Sequence, residues 1–398
     1  MKIRWILAGV ALTTAVTACS LGGANREQAS VLSTSISVGL PKGSLGSNGP
    51  VVGVNLYAVK NYTAAVTKAD GERTLSYIKN TLHASAVDLV WNLYSPDYYS
   101  NSVVTNRNTT LTAANIAILT KIAQGDGLDV EYRPLIFVET NGNNWEGLIE
   151  PKNPNAWFNS YYQQNLPYLQ MAQKYHISEY VIGTEMKRLT PAKQWKSFLA
   201  KSARIFRGQI SYAQNQYVYF PPSTDLPPTT LTGVDMYEPL MKVRPSATLS
   251  KVEAAYDTFF AAMPASILGR SAIQETGIEA RAGAYEDPPN LGKTGTLDPT
   301  IQYNWFMAGC EAVKRFHLRG IFFWKVDLAD NPAHPATSLS TWEGRLGAVA
   351  ISRCASIIKG RLPGSAFADL FRHEGKLLSV GERLIIVRLV TLADLDIW

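Results

Sequence analysis

The segments Tyr180 to Glu185 (YVIGTE) and Ser271 to Thr276 (SAIQET) are short, mostly apolar runs, each with a glutamate at or next to its end. A continuous apolar run of this length is typical of a strand buried on both faces of a parallel sheet. Glu185 and Glu275 are 90 residues apart, which is the length expected for three strand-helix units. A carboxylate is costly to bury, so we expect both to lie where the strands open to solvent.

Six further runs rich in Val, Ile or aromatic residues indicate strands, and amphipathic stretches separate them. The additional strands are predicted at 51–59, 87–94, 130–138, 209–213, 231–237 and 320–326, and the helices at 71–84, 113–123, 155–174, 192–206, 251–262, 301–316 and 347–359. Eight strands with interleaved helices predict an α/β fold, a (β/α)8 TIM barrel. A doubly wound open sheet is the alternative, but no glycine-rich nucleotide motif follows the first strand.

The composition excludes several other classes. The chain has 398 residues, of which 46% are hydrophobic and 18% charged, and this argues against a disordered chain or a coiled coil. The formal net charge is +6, and two of the positive residues, Lys2 and Arg4, lie in an expected leader. Such a mild excess does not predict nucleic-acid binding.

The first 50 residues are expected to direct and tether the protein. A basic start and the apolar run Trp5 to Val16 are typical of a secretory leader, and Val16-Thr17-Ala18-Cys19 resembles a bacterial lipobox. We therefore expect a signal peptide at 1–18, lipidation of Cys19 and a Ser/Gly-rich tether at 19–50. An ordinary signal peptide with a chance cysteine is the alternative. In lipoproteins of double-membraned bacteria, a residue other than Asp directly after the lipidated cysteine favours the outer membrane. Ser20 stands there, so we expect the protein at the outer membrane, on its periplasmic face or at the cell surface.

The other two cysteines, Cys310 and Cys354, fall in two predicted helices. One interpretation is a disulfide between them, but two buried free thiols are favoured. No metal-ligand motif is present, and we expect neither a metal nor a cofactor. The barrel is predicted to span 51–359, and no role is assigned to the extension at 360–398.

In a TIM barrel the catalytic groups follow the carboxyl ends of the strands, because the loops there build the open face. Polar residues near predicted strand ends are therefore the candidates for the site. They are Asn55, Asn92, Arg133, Glu139, Glu185, Asp235, Tyr237, Glu275, Lys325 and Asp327.

The two glutamates suggest a reaction. Strands four and seven face each other across an eight-strand barrel, so Glu185 and Glu275 are expected to share one cavity. Two carboxyl groups in one cleft can cleave a glycosidic bond, with retention of configuration at about 5–5.5 Å separation and inversion at about 6.5–9.5 Å. The alternative is a pair of structural carboxylates at the barrel rim, each satisfied by a cation.

Several motifs resemble one family. Gly183-Thr184-Glu185, Gly233 to Tyr237 (GVDMY), Glu275-Thr276-Gly277 and Phe323 to Asp327 (FWKVD) are similar to motifs of glycoside hydrolase family 113. Arg133-Pro134-Leu135 with the downstream Trp-Glu-Gly at 145–147 is similar to that family's Lys-Pro segment and Trp-x-Gly. The family belongs to the clan A retaining barrels, and its known members are β-mannanases.

The resemblance implies roles for four residues. Glu185 would be the acid/base, Glu275 the nucleophile, Tyr237 a hydroxyl donor to Glu275, and Trp324 a stacking platform in the −1 subsite. Two departures bear on the identity of the sugar. Most clan A barrels place Asn where Thr184 stands, and the family favours Lys where Arg133 stands, which is not an equivalent donor.

Other substrate contacts are expected from position alone. Arg133, Asn55, Asn92 and Asp327 are included as sugar-binding residues, although the asparagines are equally suited to turns and Asp327 to loop capping. Trp145 lies in a Gly/Asn-rich loop with little core to join, so we expect it to stack on sugar at a distal subsite.

The resulting hypothesis is a lipid-anchored, monomeric retaining glycoside hydrolase that cleaves a β-linked, mannan-like polysaccharide with two glutamates. Its partners would be a polysaccharide or oligosaccharide substrate and, through Cys19, the membrane. Three alternatives stay open. One is a hydrolase of the cell's own exopolysaccharide, the second is a non-catalytic glycan-binding lipoprotein with the same barrel, and the third is a barrel that only scaffolds a secretion assembly.

Overall fold

Eight parallel strands close into a barrel in chain order, with β1 paired to both β2 and β8. The computed structural model describes residues 45–140, 145–215, 227–229, 231–237 and 247–360. The strands are β1 Val51–Ala58, β2 Ala86–Ser95, β3 Asp129–Val138, β4 Glu179–Thr184, β5 Gln209–Asn215, β6 Thr232–Met236, β7 Ser271–Thr276 and β8 Gly320–Asp327. The predicted (β/α)8 barrel is therefore confirmed.

Within the described ranges, a helix follows every strand except β5, and these helices cover the outside of the barrel. They are α1 Ala64–Ser76, which continues as one π turn at Tyr77–Thr81, α2 Ala113–Gly125, α3 Pro154–Lys174, α4 Gln194–Ile205, α5 Leu249–Ala261, α6 Ala265–Leu268, α7 Pro299–Arg315 and α8 Leu346–Ile358. Among the described residues, no helix is long and apolar enough to cross a membrane. The predicted leader, lipidated Cys19, most of the tether and the residues after 360 lie outside the described residues.

Local capping sets where several helices begin. The side chains of Thr112, Asn153 and Asp298 accept backbone N–H bonds at the first turns of α2, α3 and α7. The first helix begins at Ala64 after the Thr63 cap, which is seven residues before the predicted start at 71. The prediction took Gly71 as a boundary, but this glycine lies inside α1.

A close helix contact explains the glycine inside α1. A β-carbon at Gly71 would lie 2.5 Å from the Leu119 side chain of α2, so only glycine lets the two helices approach this closely. The conformational cost of glycine in a helix is therefore offset by packing between α1 and α2.

The interior of the barrel holds a charged network below its mouth. Arg133, Arg319 and Glu179 have fully buried side chains, and Arg319 donates to both oxygens of Glu179 at 2.7 and 3.1 Å. Gln274 donates to Glu131, Glu179 and Ser211 across the barrel. Such groups are tolerated inside a protein only when they are paired and hydrogen-bonded.

A glycine on β6 makes room for this network. A β-carbon at Gly233 would lie 1.8 Å from Oε1 of Gln274, so any larger residue would displace the glutamine. The motif glycine at 233 therefore supports the barrel interior rather than a turn.

Cys310 in α7 and Cys354 in α8 form a disulfide, with their Cα atoms 5.6 Å apart. The expectation of two free thiols is therefore wrong. The helix pattern alone placed both cysteines on buried faces but could not show that α7 and α8 pack side by side.

Breaking this bridge should destabilise the barrel. The disulfide closes a loop between residues 44 apart in sequence, and loop-closure entropy assigns about 4 kcal/mol to such a crosslink. In denaturant unfolding, the Cys310→Ala/Cys354→Ala variant is expected to lose about that much free energy of unfolding. Dithiothreitol should lower the unfolding midpoint of the native chain and leave that of the variant unchanged. An unchanged native midpoint under reduction would show that the bridge does not stabilise the fold.

Candidate active site

Glu185 and Glu275 line one cavity of about 560 Å³ at the carboxyl ends of the strands. Glu185 directly follows β4, and Glu275 lies one residue before the end of β7. Tyr237, Trp324 and Trp145, which the sequence also proposed as site residues, line the same cavity. The structure therefore brings five of the proposed site residues together at the predicted mouth of the barrel.

Glu275 is held by a cation and a phenol. Arg133 donates from Nη1 to Oε1 of Glu275 at 2.8 Å, and the hydroxyl of Tyr237 donates to Oε2 at 3.0 Å. Hydrogen bonds from charged donors are the strongest that a carboxylate receives. Burial and the Glu185 charge nevertheless raise the pKa of Glu275 to about 7, because Arg133 and Tyr237 offset only part of the burial.

Glu185 is held by neutral donors. The indole Nε1 of Trp145 donates to Oε2 at 2.7 Å, and the amide of Asn215 donates to Oε1 at 3.1 Å. Burial raises the pKa of Glu185, and these two bonds together with the more distant Arg133 oppose the rise. Because Arg133 bonds Glu275 and not Glu185, the two carboxyl groups have different environments.

The backbone of Glu185 is unusual. Its φ is 48°, in the left-handed region that non-glycine residues seldom adopt, and its N–H donates to the carbonyl oxygen of Ala213 at 2.9 Å. Such conformations persist where surrounding contacts over-determine them, and they concentrate at functional sites. Here the turn after β4 directs the carboxylate into the cavity instead of outward.

Arg133 lies beneath the cavity, and the prediction that it binds sugar is wrong. Its side chain is fully buried. Nε donates to Asp88 at 2.7 Å, and Nη2 donates to the carbonyl oxygen of Gln274 at 2.8 Å. Every nitrogen of the guanidinium is thus bonded within the protein, and Arg133 acts on the site through Glu275.

The predicted sugar contacts of Asn55 and Asn92 are not found either. Asn55 is fully buried in β1 and donates to Asp88 and to the carbonyl oxygen of Gln274. Asn92 is buried in β2 and accepts from the Tyr57 hydroxyl at 2.7 Å. Neither residue lines the catalytic cavity or forms a turn, so the predicted sugar contacts are wrong for both.

Trp145 and Asp327 reach the site differently than expected. Trp145 bonds directly to Glu185 rather than standing at a distal subsite. A short 3₁₀ turn at Glu146–Leu148 follows Trp145 directly. Asp327 lies in an adjoining cavity and pairs with Lys325 at 2.5 Å.

Four further polar residues line the catalytic cavity, and none of them received a catalytic or sugar-binding role from the sequence. They are Glu146, Thr184, Asn215 and Asp235. Asn215 was missed because β5 was predicted to end at residue 213, two residues early. Asp235 was on the list of strand-end residues but received no role, and Glu146 appeared only as the middle residue of a motif.

Asp235 is a buried carboxyl group next to Glu275. It is 1% exposed, and neither of its oxygens has a hydrogen-bond partner, although Nη1 of Arg133 lies 3.5 Å away. Burial and the Glu275 charge raise the pKa of Asp235 well above its usual range. A neutral Asp235 leaves the positive charge of Arg133 to Asp88 and Glu275.

The described residues contain no group of His, Cys, Asp and Glu side chains suited to a metal ion. The site instead offers two differently held carboxyl groups in a cavity walled by Trp145, Tyr237 and Trp324. Flat aromatic faces with polar edges suit a hydroxyl-rich ring. Such a cavity at the mouth of a (β/α)8 barrel holds the groups that cleavage of a glycosidic bond requires.

The comparisons identify the family. The model of Glycoside Hydrolase Family 113 matches residues 57–341, and the chain belongs to this family. The protein therefore acts on O-glycosyl bonds, and the family resemblance noted in the sequence is confirmed. A search of curated proteins found no significant match.

Solved structures of low sequence identity share the fold. A family 113 β-1,4-mannanase has a TM-score of 0.65 at 16% identity, covering 77% of this chain and 99% of its own. The β-mannanase AaManA from Alicyclobacillus acidocaldarius has a TM-score of 0.63 at 17% identity, covering 79% and 100%. A GH5_18 protein from Streptomyces cattleya has a TM-score of 0.53 at 13% identity, covering 79% and 82%.

Removing the Tyr237 hydroxyl should raise the pKa of Glu275. Tyr237→Phe deletes a donor to the carboxylate, and a hydrogen bond to a charged group is worth about 1.5–3 kcal/mol, or roughly one to two pH units. NMR titration of protein labelled at its glutamate carboxyl carbons measures this pKa, with Glu275→Gln assigning the signal. Tyr57→Phe, which removes a hydroxyl bonded to the neutral Asn92, is the matched control and should leave the pKa in place. An equal pKa in native and Tyr237→Phe protein would contradict the contact.

Proposed function

We propose that this protein cleaves a β-linked, mannan-like polysaccharide with retention of configuration, using Glu275 as nucleophile and Glu185 as acid/base. The observation that carries the proposal is the unequal bonding of the two carboxyl groups within one cavity. Glu275 receives a bond from a guanidinium, whereas Glu185 receives bonds from an indole and an amide. A cation stabilises the anion that attacks, and neutral donors leave the other group readier to keep its proton.

In the first step, a carboxylate oxygen of Glu275 attacks the anomeric carbon while Glu185 gives its proton to the departing glycosidic oxygen. The C–O bond to the leaving sugar breaks, and an ester between Glu275 and the glycone forms. General acid help of this kind contributes about 10²–10⁴ in rate. The step needs Glu275 ionised and Glu185 protonated together. Burial raises the pKa of Glu275 to about 7, and the donors Arg133 and Tyr237 favour its ionised form against that burial.

In the second step, Glu185 is a carboxylate and takes a proton from water. The water oxygen bonds to the anomeric carbon, and Glu275 leaves as a carboxylate. Arg133 and Tyr237 stabilise the charge that returns to Glu275, because their donors are already fixed on its two oxygens. Two displacements at the same carbon restore its original configuration.

The choice of a mannan-like substrate is supported by similarity. The chain belongs to Glycoside Hydrolase Family 113, and two solved structures of the same fold are described as β-mannanases. Thr184, which stands where most clan A barrels have Asn, lines the cavity, but its hydroxyl is buried and does not identify the sugar. The cell's own exopolysaccharide stays the alternative substrate.

Substitution of each glutamate tests the roles separately. Glu275→Gln should release no new reducing ends from β-1,4-mannan, and Glu185→Gln should lose about 10²–10⁴ in rate. On a dinitrophenyl β-mannoside, whose leaving group needs no proton, Glu185→Gln should keep a rapid first burst, whereas Glu275→Gln should show none. Glu72→Gln, on the exposed face of α1, is the control and should behave as the native chain. Turnover that survives in Glu275→Gln would remove it as nucleophile.

We further propose that the chain is anchored through lipidated Cys19 to the outer membrane, on its periplasmic face or at the cell surface. The Cys310–Cys354 bridge supports export, because disulfides form and persist in oxidising compartments. Radiolabelled palmitate fed to cells that express the full chain should label the protein, and Cys19→Ala should abolish the label. Equal labelling of both proteins would refute the anchor.

A further inference from the structure

A second cavity of about 220 Å³ adjoins the catalytic cavity. Trp324 and Leu291 line both, so the indole of Trp324 forms part of the wall between them. The second cavity is smaller than the pockets of about 300–1,000 Å³ that hold drug-sized ligands, which suits a single sugar ring.

This cavity is acidic and its charges are not balanced. Asp327, Asp330 and Glu343 line it, together with one cation, Lys325. The ammonium of Lys325 bonds to Asp327 at 2.5 Å and lies 4.8 Å from the Tyr57 ring centre. Within the described residues, no Lys, Arg or His side chain forms an ion pair with Asp330 or Glu343. Lys325 and Arg73 act on Asp330 only through charge at longer range, so neither Asp330 nor Glu343 has a bonded cation.

Of these two carboxyl groups, that of Glu343 is the more deeply buried. It is 3% exposed although it lines the cavity, and its carboxylate accepts the backbone N–H of Trp342 and of Glu343 itself. Burial, with the charges of Asp330 and Asp327, raises the pKa of Glu343 to about 7. A buried carboxyl group without a charged partner is costly, and a ligand that carried a positive charge would relieve that cost.

Asp330 has a similar environment. Its Oδ2 accepts the backbone N–H of Asp327 at 2.9 Å. The nearest guanidinium, that of Arg73, donates to the main-chain carbonyl oxygen of Asp330 rather than to its carboxylate. The acidic face of the cavity thus has spare acceptor capacity on two side chains.

The position of the cavity shows which side of the cleaved bond it serves. The leaving sugar must lie beside the acid/base Glu185, which is bonded to Trp145 after β3 and to Asn215 at the end of β5. None of these three residues lines the second cavity, whose walls come from β8 and from the segments that follow β7 and β8. It therefore lies on the side of the sugar that becomes attached to Glu275.

We propose that this second cavity, bounded by Trp324, Asp327, Asp330 and Glu343, is a glycone-side subsite for a sugar that carries a protonated amine. The proposal rests on the proposed function for its orientation. An ammonium on the sugar ring would donate to the carboxylates of Glu343 and Asp330 and supply the missing positive charge. An N-acetylated or hydroxylated ring could fill the same space but would leave both carboxylates without a cation.

Binding of simple sugars to the full chain tests the subsite without requiring turnover. The probes are the methyl β-glycosides of glucosamine and mannosamine and their N-acetylated forms, titrated against the native protein by NMR. Each aminated glycoside should bind at least about tenfold more tightly than its acetylated counterpart, which is the ratio expected for one charge-assisted hydrogen bond. This preference should weaken as salt is added. Equal affinities in the native protein would overturn the proposal, whatever any variant does.

Two variants and one further probe localise the effect. Glu343→Gln should abolish the preference for the amine, whereas Glu72→Gln on the outer helix α1 should retain it. Spermidine should bind more weakly than the amino sugars if the cavity recognises a sugar-borne amine. A preference that survives in Glu343→Gln, or spermidine binding as tight as that of the amino sugars, would overturn the proposal.

The reducing-end assay on mannan separates this proposal from the function itself. A chain that cleaves mannan but shows no amine preference refutes the subsite alone. A chain that cleaves no glycan refutes the proposed function, while the sugar titration still reports whether the cavity recognises an amine.

Discussion

The guanidinium of Arg133 connects the inside of the barrel to its catalytic edge. It donates to Asp88 on β2 and to Glu275 on β7, and also to the backbone of the latter strand. A charge this deeply buried is tolerated only because each of its nitrogens is bonded. The position of Glu275 is therefore fixed from below by the same group that stabilises its negative charge, and neither function can be altered without the other.

The crowding of acids around this cation determines the protonation of the site. Asp88, Glu131, Asp235 and Glu275 all lie within 3.5 Å of Arg133, and a single positive charge cannot balance four negative ones. Burial raises the pKa of Glu131 and Asp235 well above their usual range, which favours their neutral forms. The arginine is left to stabilise the carboxylates that bond it most closely.

The sequence was informative where a pattern repeats and where a charge follows an apolar run. The sequence located the eight strands because each is a short apolar run. It also located Glu185, Glu275, Tyr237 and Trp324, because the catalytic groups of a TIM barrel lie at the carboxyl ends of its strands. Arg133, Asn55 and Asn92 were misjudged because alternation along a strand shows which side chains point inward, not how deep they lie. All three side chains are buried and bond to other residues of the protein.

The remaining errors have other physical causes. Asn215 depends on where β5 ends, and strand ends are set by neighbouring strands that a local pattern does not show. The Cys310–Cys354 bridge depends on α7 and α8 lying side by side, which is a property of the closed barrel. Trp145 was placed at a distance because its loop is rich in Gly and Asn, yet its indole donates to Glu185. Tertiary contacts decided each of these cases.

The shared wall at Trp324 has an energetic consequence. Its ring is half-buried, packs against Tyr57 with the ring centres 5.6 Å apart, and borders both cavities. Any occupant that shifts or fixes the indole on one side alters the space on the other. By thermodynamic linkage this influence is reciprocal. A ligand in either cavity is therefore expected to change the affinity of the other cavity for its own ligand.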